Sequence, residues 1–156
     1  MLKELVEKKH TCFHQRFDSW QAAIQAGCQP LMNDNTITQA YVDLVIKCVN
    51  DHGPYIVIAP DIAMPHSTEG AEGVNDTSIG FMKVEEPVHF EPGNPEKDAR
   101  LFFTLASVNH EKHLENMMNL MNVLMNEAVV AELLKATSDA DLLRIHDQYL
   151  SEPQVL

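Results

Sequence analysis

Long apolar runs are absent from this 156-residue chain, and cationic side chains are scarce: 11 lysines and arginines stand against 23 aspartates and glutamates, for a formal net charge of -12. The first absence removes a helix that spans a bilayer. The second makes the average surface repel phosphate backbones and anionic lipid, so no nucleic acid and no direct membrane insertion are expected, and a protein partner is expected to present a basic face. Cysteine is sparse as well. Cys12, Cys28 and Cys48 are odd in number and far apart, which fits neither a disulfide framework nor a CxxC metal or redox motif, and a reducing cytoplasm is the expected compartment. Residues 1–9 mix charges instead of building a signal sequence, which predicts a soluble, non-exported protein. No segment repeats at a fixed period and none is low in complexity, which leaves out solenoids and long linkers.

Hydrophobic residues make up 45% of the chain, enough for one domain over residues 1–156 with its own core. Helical and extended patterns alternate along it. Asp18 can cap a short helix from Ser19 to Ala26 that Gly27 stops. Thr36 or Thr38 opens a second helix with Ala40, Tyr41, Leu44, Val45, Cys48 and Val49 on one face, and Gly53-Pro54 ends it. Strands are predicted at Tyr55–Ala59, Thr77–Val84 and Arg100–Ser107, the last buried on both faces. Between the latter two, Glu85–Pro95 reads as a turn-rich, acidic, solvated loop. A helix resumes near Glu111, with Leu114, Met117, Met118, Met121, Leu124 and Met125 on a continuous face, read as adaptable core filler. Helices over Glu127–Lys135 and, capped by Ser138, Asp139–Leu150 complete a layered α/β domain. Trp20, the single tryptophan, reads as packing.

Eight histidines carry the chemistry worth weighing. His10 and His14 fall in a polar amino-terminal segment, His52 beside a helix end, His89 in the acidic loop and His146 in the last helix, none with a partner at motif spacing. His110 and His113 form an HxxH pair on one helical face. A zinc reading of that pair wants further ligands, and no matching Cys, His or carboxylate motif accompanies it. The alternative is that one of the two faces a cleft beyond the end of the Leu101–Ala106 strand, where α/β proteins place their sites. His66 has the best local case. Pro65 fixes its own φ and pushes Met64 toward extended geometry, so the imidazole is presented at an exposed loop tip with little freedom left to lose. Neutral imidazole is a nucleophile at cytoplasmic pH, and a second histidine such as His113 can donate N–H to phosphoryl oxygens.

The chain also carries a set of family-like elements: Trp20 with Ala23-Ile24, Pro30-Leu31, Ile37, Tyr41, Gly53-Pro54-Tyr55-Ile56-Val57-Ile58-Ala59-Pro60, Ile62-Ala63-Met64-Pro65-His66, Glu86-Pro87-Val88-His89-Phe90 and His113-Leu114. With these it resembles the IIA phosphocarrier domains (type-2 EIIA) of the mannitol/fructose class in the bacterial phosphoenolpyruvate-dependent sugar phosphotransferase system, and within that class the ascorbate-specific subgroup. The resemblance implies a single-domain α/β sandwich with a mixed β-sheet flanked by helices. It implies that His66 accepts a phosphoryl group from phospho-HPr and passes it to a cysteine of a IIB component, and through it to the IIC membrane permease. It implies further that His113 is the second active-site histidine, that no metal or organic cofactor is required, and that L-ascorbate is the transported sugar. A nitrogen-type regulatory IIA protein acting through phosphorylation-dependent binding is the alternative.

One departure from the family pattern stands out. Better-known members of the class place an arginine in the helix or loop before the phosphorylated histidine, where this chain reads Val49-Asn50-Asp51-His52, and the glycine-rich lead-in common in mannitol-type members is replaced by Ala59-Pro60-Asp61; both changes are read as marks of the ascorbate subgroup. Backbone N–H groups, Ser67, Thr68 and His113 are then the donors available to a phosphate.

Overall fold

Two runs rich in β-branched and aromatic residues lie side by side at the centre of the molecule. In the computed structural model, whose described residues are 1–150, they are β4 (Ser78–His89) and β5 (Asp98–Ala106), paired antiparallel. β1 (Thr11–His14) joins β4 in parallel, β3 (Asp61–Ala63) joins β5 in parallel, and β2 (Val57–Ala59) forms the other edge antiparallel to β3. The order β1-β4-β5-β3-β2 makes a mixed five-stranded sheet.

Side chains leave this sheet alternately, as the period of two in a strand requires. On β5, Phe102 and Ala106 enter one core while Leu101, Phe103 and Leu105 enter the other. The first core is covered by α2 (Trp20–Asn33) and α3 (Gln39–His52), through Ile24, Leu31, Val42 and Val45. The second is covered by α1 (Leu2–Glu7), α4 (His110–Leu124), α5 (Glu127–Lys135) and α6 (Asp139–Ile145), through Leu2, Leu5, Leu120, Val129, Leu133, Leu142 and Ile145. Helices on both faces of a mixed sheet are the single-domain layered sandwich expected from the sequence. Among the described residues no helix is long and apolar enough to cross a membrane.

Several local expectations change. The first long helix does not stop at Gly27 but runs to Asn33 through Pro30, with Ser19 rather than Asp18 as its N-cap, its side chain accepting from the Ala22 N–H. A Cβ on Gly27 would stand 3.3 Å from the terminal methyl of Met82, a tight contact that the glycine relieves. Pro30 leaves the Ala26 carbonyl without its i+4 donor, and the Cys12 thiol faces that oxygen at 3.7 Å. The amino-terminal segment is not simply polar: it forms α1 and β1, and His10 is only 2% exposed, its Nε2 2.5 Å from Asp34 Oδ2. The acidic loop is shorter than expected because β4 continues to His89, its register shifting between Lys83 and Val88. The methionine face is a further correction. Met118 and Met125 are 67% and 77% exposed, and Leu114 and Met121 are exposed as well. α4 buries only Leu120 fully, with Met117 and Leu124 packed at the margin of the second core, so its apolar stripe is wider than the face it turns toward that core.

The strand that leads to His66 is also different from the one expected. Only Val57–Ala59 of the Tyr55–Ala59 run pairs. The chain then reverses at Pro60 and Asp61, with Asp61 at φ 71, and Asp61–Ala63 returns beside β5. The loop after His66 is pinned in turn to the start of α3, where Thr38 N–H donates to Gly73 O at 2.8 Å and Ile37 bridges Val74. Gly73 has φ +82, and a Cβ on it would fall 2.5 Å from the Tyr41 backbone nitrogen. Gly73→Ala is therefore expected to destabilise the fold by about 1–3 kcal/mol, from backbone strain together with the clash. Urea unfolding checks this; an unchanged midpoint would contradict the packing described for this turn.

Candidate functional site

Parallel pairing of β3 with β5 makes both strands end at the same edge of the sheet. Beyond β3 the chain passes through Met64 and Pro65, both buried, and the link is tied down twice: Met64 N–H donates to Ile56 O at 2.7 Å, and Leu105 N–H donates to Pro65 O at 2.9 Å. His66 follows at once. Beyond β5 the turn Ser107–Asn109 leads into α4, whose N-cap Asn109 accepts the Lys112 N–H through its side chain at 2.7 Å. That cap aims the first turn of the helix back over the sheet end and carries His113 to His66. The two imidazole centroids lie 5.6 Å apart, with the rings tilted by 43°. His66 is thus not the exposed loop tip expected from the sequence; it is half-buried in a cleft of about 390 Å³ lined also by Tyr41, Ser67, Thr68, His110, His113, Leu114 and Met117.

Hydrogen bonding fixes the tautomer of His66. Its Nδ1 lies 2.5 Å from Met64 O, and because a carbonyl only accepts, Nδ1 is the protonated nitrogen and Nε2 carries the lone pair. The Tyr55 ring stands edge-on to the imidazole, centroids 5.2 Å apart, and the Tyr55 hydroxyl donates to the His66 carbonyl. Tyr41, buried in α3, accepts the Ser67 N–H at its hydroxyl (3.2 Å) and donates to Leu105 O (2.6 Å). Burial holds the His66 pKa below its ordinary value, against the opposing pull of the Met64 carbonyl. His113 is also lowered, by partial burial first and then by the positive charge that His66 and His110 would share with it. Both shifts favour the neutral form of the ring.

Ser67 accepts the Glu69 N–H at its hydroxyl, and Thr68 sits exposed at the rim. Among the described residues no lysine or arginine lines the cleft. Lys47, on α3, is committed elsewhere, its Nζ 2.9 Å from Asp51 Oδ2 and 3.2 Å from Glu69 Oε2. His110 lies on the cleft rim, and among the described residues no three His, Cys, Asp or Glu side chains gather where they could hold a metal ion. The five remaining histidines stand apart from the cleft: His10 bonds Asp34, His89 bonds Asp98 at 2.8 Å, His52 faces Glu69 at 3.6 Å, His14 lies against Phe17, and His146 directly follows α6. Tyr41 and Tyr55 are the site residues that sequence reasoning did not single out. They read there as one face of a helix and one end of a strand, and nothing local links either to a histidine 25 or 11 positions later.

Comparison with known proteins gives this site a context. Residues 4–149 match the family model described as phosphoenolpyruvate-dependent sugar phosphotransferase system, EIIA 2. The ascorbate-specific PTS system EIIA component of Mycoplasma pneumoniae is 29% identical over 148 residues, covering 94% of this chain and 91% of that protein. The mannitol-specific cryptic phosphotransferase enzyme IIA component of Escherichia coli is 30% identical over 126 residues, 81% of this chain and 84% of that protein. Its solution structure shares the fold with a TM-score of 0.78 over 94% of this chain and 98% of that one, at 28% identity. The complex of enzyme IIAMTL with phosphorylated enzyme IIBMTL from Escherichia coli also shares the fold, with a TM-score of 0.75 over 90% and 95% of the two chains at 23% identity.

The lowered histidine pKa values have a measurable sign. As pH falls through about 6.5, the ordinary histidine value, the unfolded chain takes up protons that folded His66 and His113 still refuse, so stability is present above that pH and declines below it. In a ¹⁵N-detected titration, both rings are expected to reach half-protonation below pH 6.5. A His66 midpoint above 6.5 would contradict the burial described.

Proposed function

The chain belongs to the EIIA type-2 family of the phosphoenolpyruvate-dependent sugar phosphotransferase system, and from that membership we propose that it is a phosphocarrier acting through phospho-His66. We take residues 1–156 as one such domain, working in the cytoplasm. The observation that carries the reading is the Nδ1 contact to Met64 O, which leaves Nε2 as the unprotonated nitrogen of a neutral, half-buried imidazole facing His113 across a cleft.

Transfer then proceeds in two balanced steps. The Nε2 lone pair forms a nitrogen–phosphorus bond as the phosphorus–leaving-group bond of phospho-HPr breaks, and the HPr group keeps that electron pair. A thiolate of the IIB cysteine next attacks the same phosphorus, and the pair of the breaking bond returns to Nε2. Positioning and charge stabilisation supply the acceleration in such a step. With no arginine in the cleft wall, an N–H of His113 is the closest match to a donor for the equatorial oxygens, with His110 and the Ser67 and Thr68 hydroxyls at the same cleft. A phosphoryl group on His66 places about two negative charges beside His113, which raises the pKa of that ring and converts it to a cationic partner while the group resides there.

The surroundings fit visits by protein partners. Leu114, Met118 and Met121 form an exposed apolar face on α4 that begins at the cleft wall, and polarizable methionines suit a surface that meets more than one protein. HPr and a IIB component are the two partners proposed, the second leading to a IIC permease; the IIAMTL–IIBMTL complex has the same pairing. L-ascorbate is the proposed sugar, on the name of the Mycoplasma pneumoniae relative.

Incubation with enzyme I, HPr and phosphoenolpyruvate is expected to add one acid-labile phosphate. His66→Ala abolishes it; retention of the label by that variant would sink the assignment. His113→Ala is expected to fold and to transfer about 100-fold more slowly, the magnitude of losing one preorganised donor. Stopped-flow or quench transfer rates check this, and an unchanged rate removes His113 from the mechanism.

A further inference from the structure

The peptide bond between His66 and Ser67 is held at both of its polar ends by tyrosine hydroxyls from outside the loop. Its carbonyl accepts from Tyr55, and its N–H donates to the Tyr41 hydroxyl at 3.2 Å. Tyr41 in turn donates to Leu105 O at 2.6 Å, while Leu105 N–H binds Pro65 O at 2.9 Å. Chain on either side of His66 is therefore fastened to one residue of the central strand β5, directly through Pro65 and by way of the Tyr41 hydroxyl through Ser67. Two anchors on one peptide are more than a turn needs. Most surface loops leave such groups to water, and a buried hydroxyl spent on a loop N–H is retained where the loop must not move.

Resting on the phosphocarrier reading above, we propose that Tyr41 and Tyr55 are positioning residues for phosphoryl transfer: their hydroxyls clamp the His66–Ser67 peptide and so hold the imidazole with Nδ1 on Met64 O and Nε2 toward the cleft. With the peptide fixed at both ends, ψ of His66 has one value, and the ring reaches the Met64 carbonyl without searching. The Tyr55 ring packs perpendicular to the imidazole, centroids 5.2 Å apart, and adds a neighbouring surface against which the imidazole rests. Both hydroxyls stay protonated and able to donate, because burial raises the pKa of Tyr41 to about 12 and raises that of Tyr55 as well. Neither tyrosine is given a bond to the phosphoryl group. Their effect passes through the ring they orient, and a misplacement of the order of 1 Å at a reacting atom is enough to slow a reaction by about 100-fold.

The test uses Tyr55→Phe, Tyr41→Phe and the double variant in the full chain, with phospho-HPr as donor. Each single variant is expected to lower kcat for acceptance by about 10- to 100-fold while KM for phospho-HPr stays within about twofold, because docking surface is untouched. The double variant is expected to lose less than the product of the two single losses, since both hydroxyls hold one peptide. In ¹⁵N spectra of the unphosphorylated protein, the Nδ1–H tautomer of His66 is expected to lose its dominance in every variant. Tyr55 is half-buried, so Tyr55→Phe keeps the test available if Tyr41→Phe, at a buried position, unfolds. Unchanged kcat in a folded variant, a loss confined to KM, or an unaltered tautomer would each overturn the proposal. The tautomer measurement needs no phosphoryl donor. A wild-type chain that takes no phosphate from phospho-HPr would thus remove the phosphocarrier reading while the spectra still decide whether the clamp exists.

Discussion

The parallel pairing of β3 with β5 is the constraint on which the site depends. It sets the carboxyl ends of both strands at one edge of the sheet, and the segments that leave that edge carry His66 on one side and His113 on the other. A register slip of one residue would move Ile62 and Met64 out of the second core and turn the Pro65–His66 link away from Leu105. The site is therefore fixed by the same side chains that make the core. Leu101, Phe103 and Leu105 pack one face while the backbone of Leu105 holds Pro65 and Tyr41, so packing and positioning meet at one residue.

Charge gives the cleft its second property. The chain carries a net charge of -12, yet the cleft is lined by imidazoles, hydroxyls and apolar side chains, with no lysine, arginine or carboxylate among the described residues that line it. A permanent cation there would bind phosphate tightly at all times. On the phosphocarrier reading proposed above, His66 meets an incoming phosphoryl group with its Nε2 lone pair and His113 meets it with an N–H donor, and His113 gains charge only while phosphate is present. In the proposed role, accepting and then releasing a phosphoryl group would benefit from that arrangement, because attraction to the group rises on arrival and falls on departure. The net negative charge of the chain would favour a proposed partner that presents a basic face.

Much of this was legible in the sequence, for physical reasons that differ by element. The central strands announced themselves because a strand buried on both faces must be largely apolar, as in Leu101–Ala106, where Thr104 is the single polar side chain. His66 was legible because Pro65 restricts the chain locally, and His113 because strand ends in α/β domains collect functional groups. The family resemblance rested on a wider set of elements, from Trp20 to Leu114, and the family model matches residues 4–149. What was illegible depends on contacts distant in sequence. Gly27 and Pro30 look like helix stops until Met82 is seen close to where a Cβ would stand and Cys12 beside the carbonyl that is freed. The exposed methionine stripe has the spacing of a core face, and only the packing of α4, which turns Leu120 inward and leaves Leu114, Met118 and Met121 outside, shows that it lies in solvent. Tyr41 and Tyr55 are silent for the same reason, since their hydroxyls act on a peptide that the fold alone brings near.

The central claim is that the fold presents Nε2 of a neutral His66 as the nucleophile. The most direct measurement is the identity of the phosphorylated nitrogen, read from phosphorus–nitrogen couplings in the ¹⁵N-histidine protein after phosphorylation through HPr. The account expects a single phosphohistidine at Nε2 of His66, with Nδ1 still protonated. Phosphate at Nδ1 of His66, or on any other residue, would contradict it.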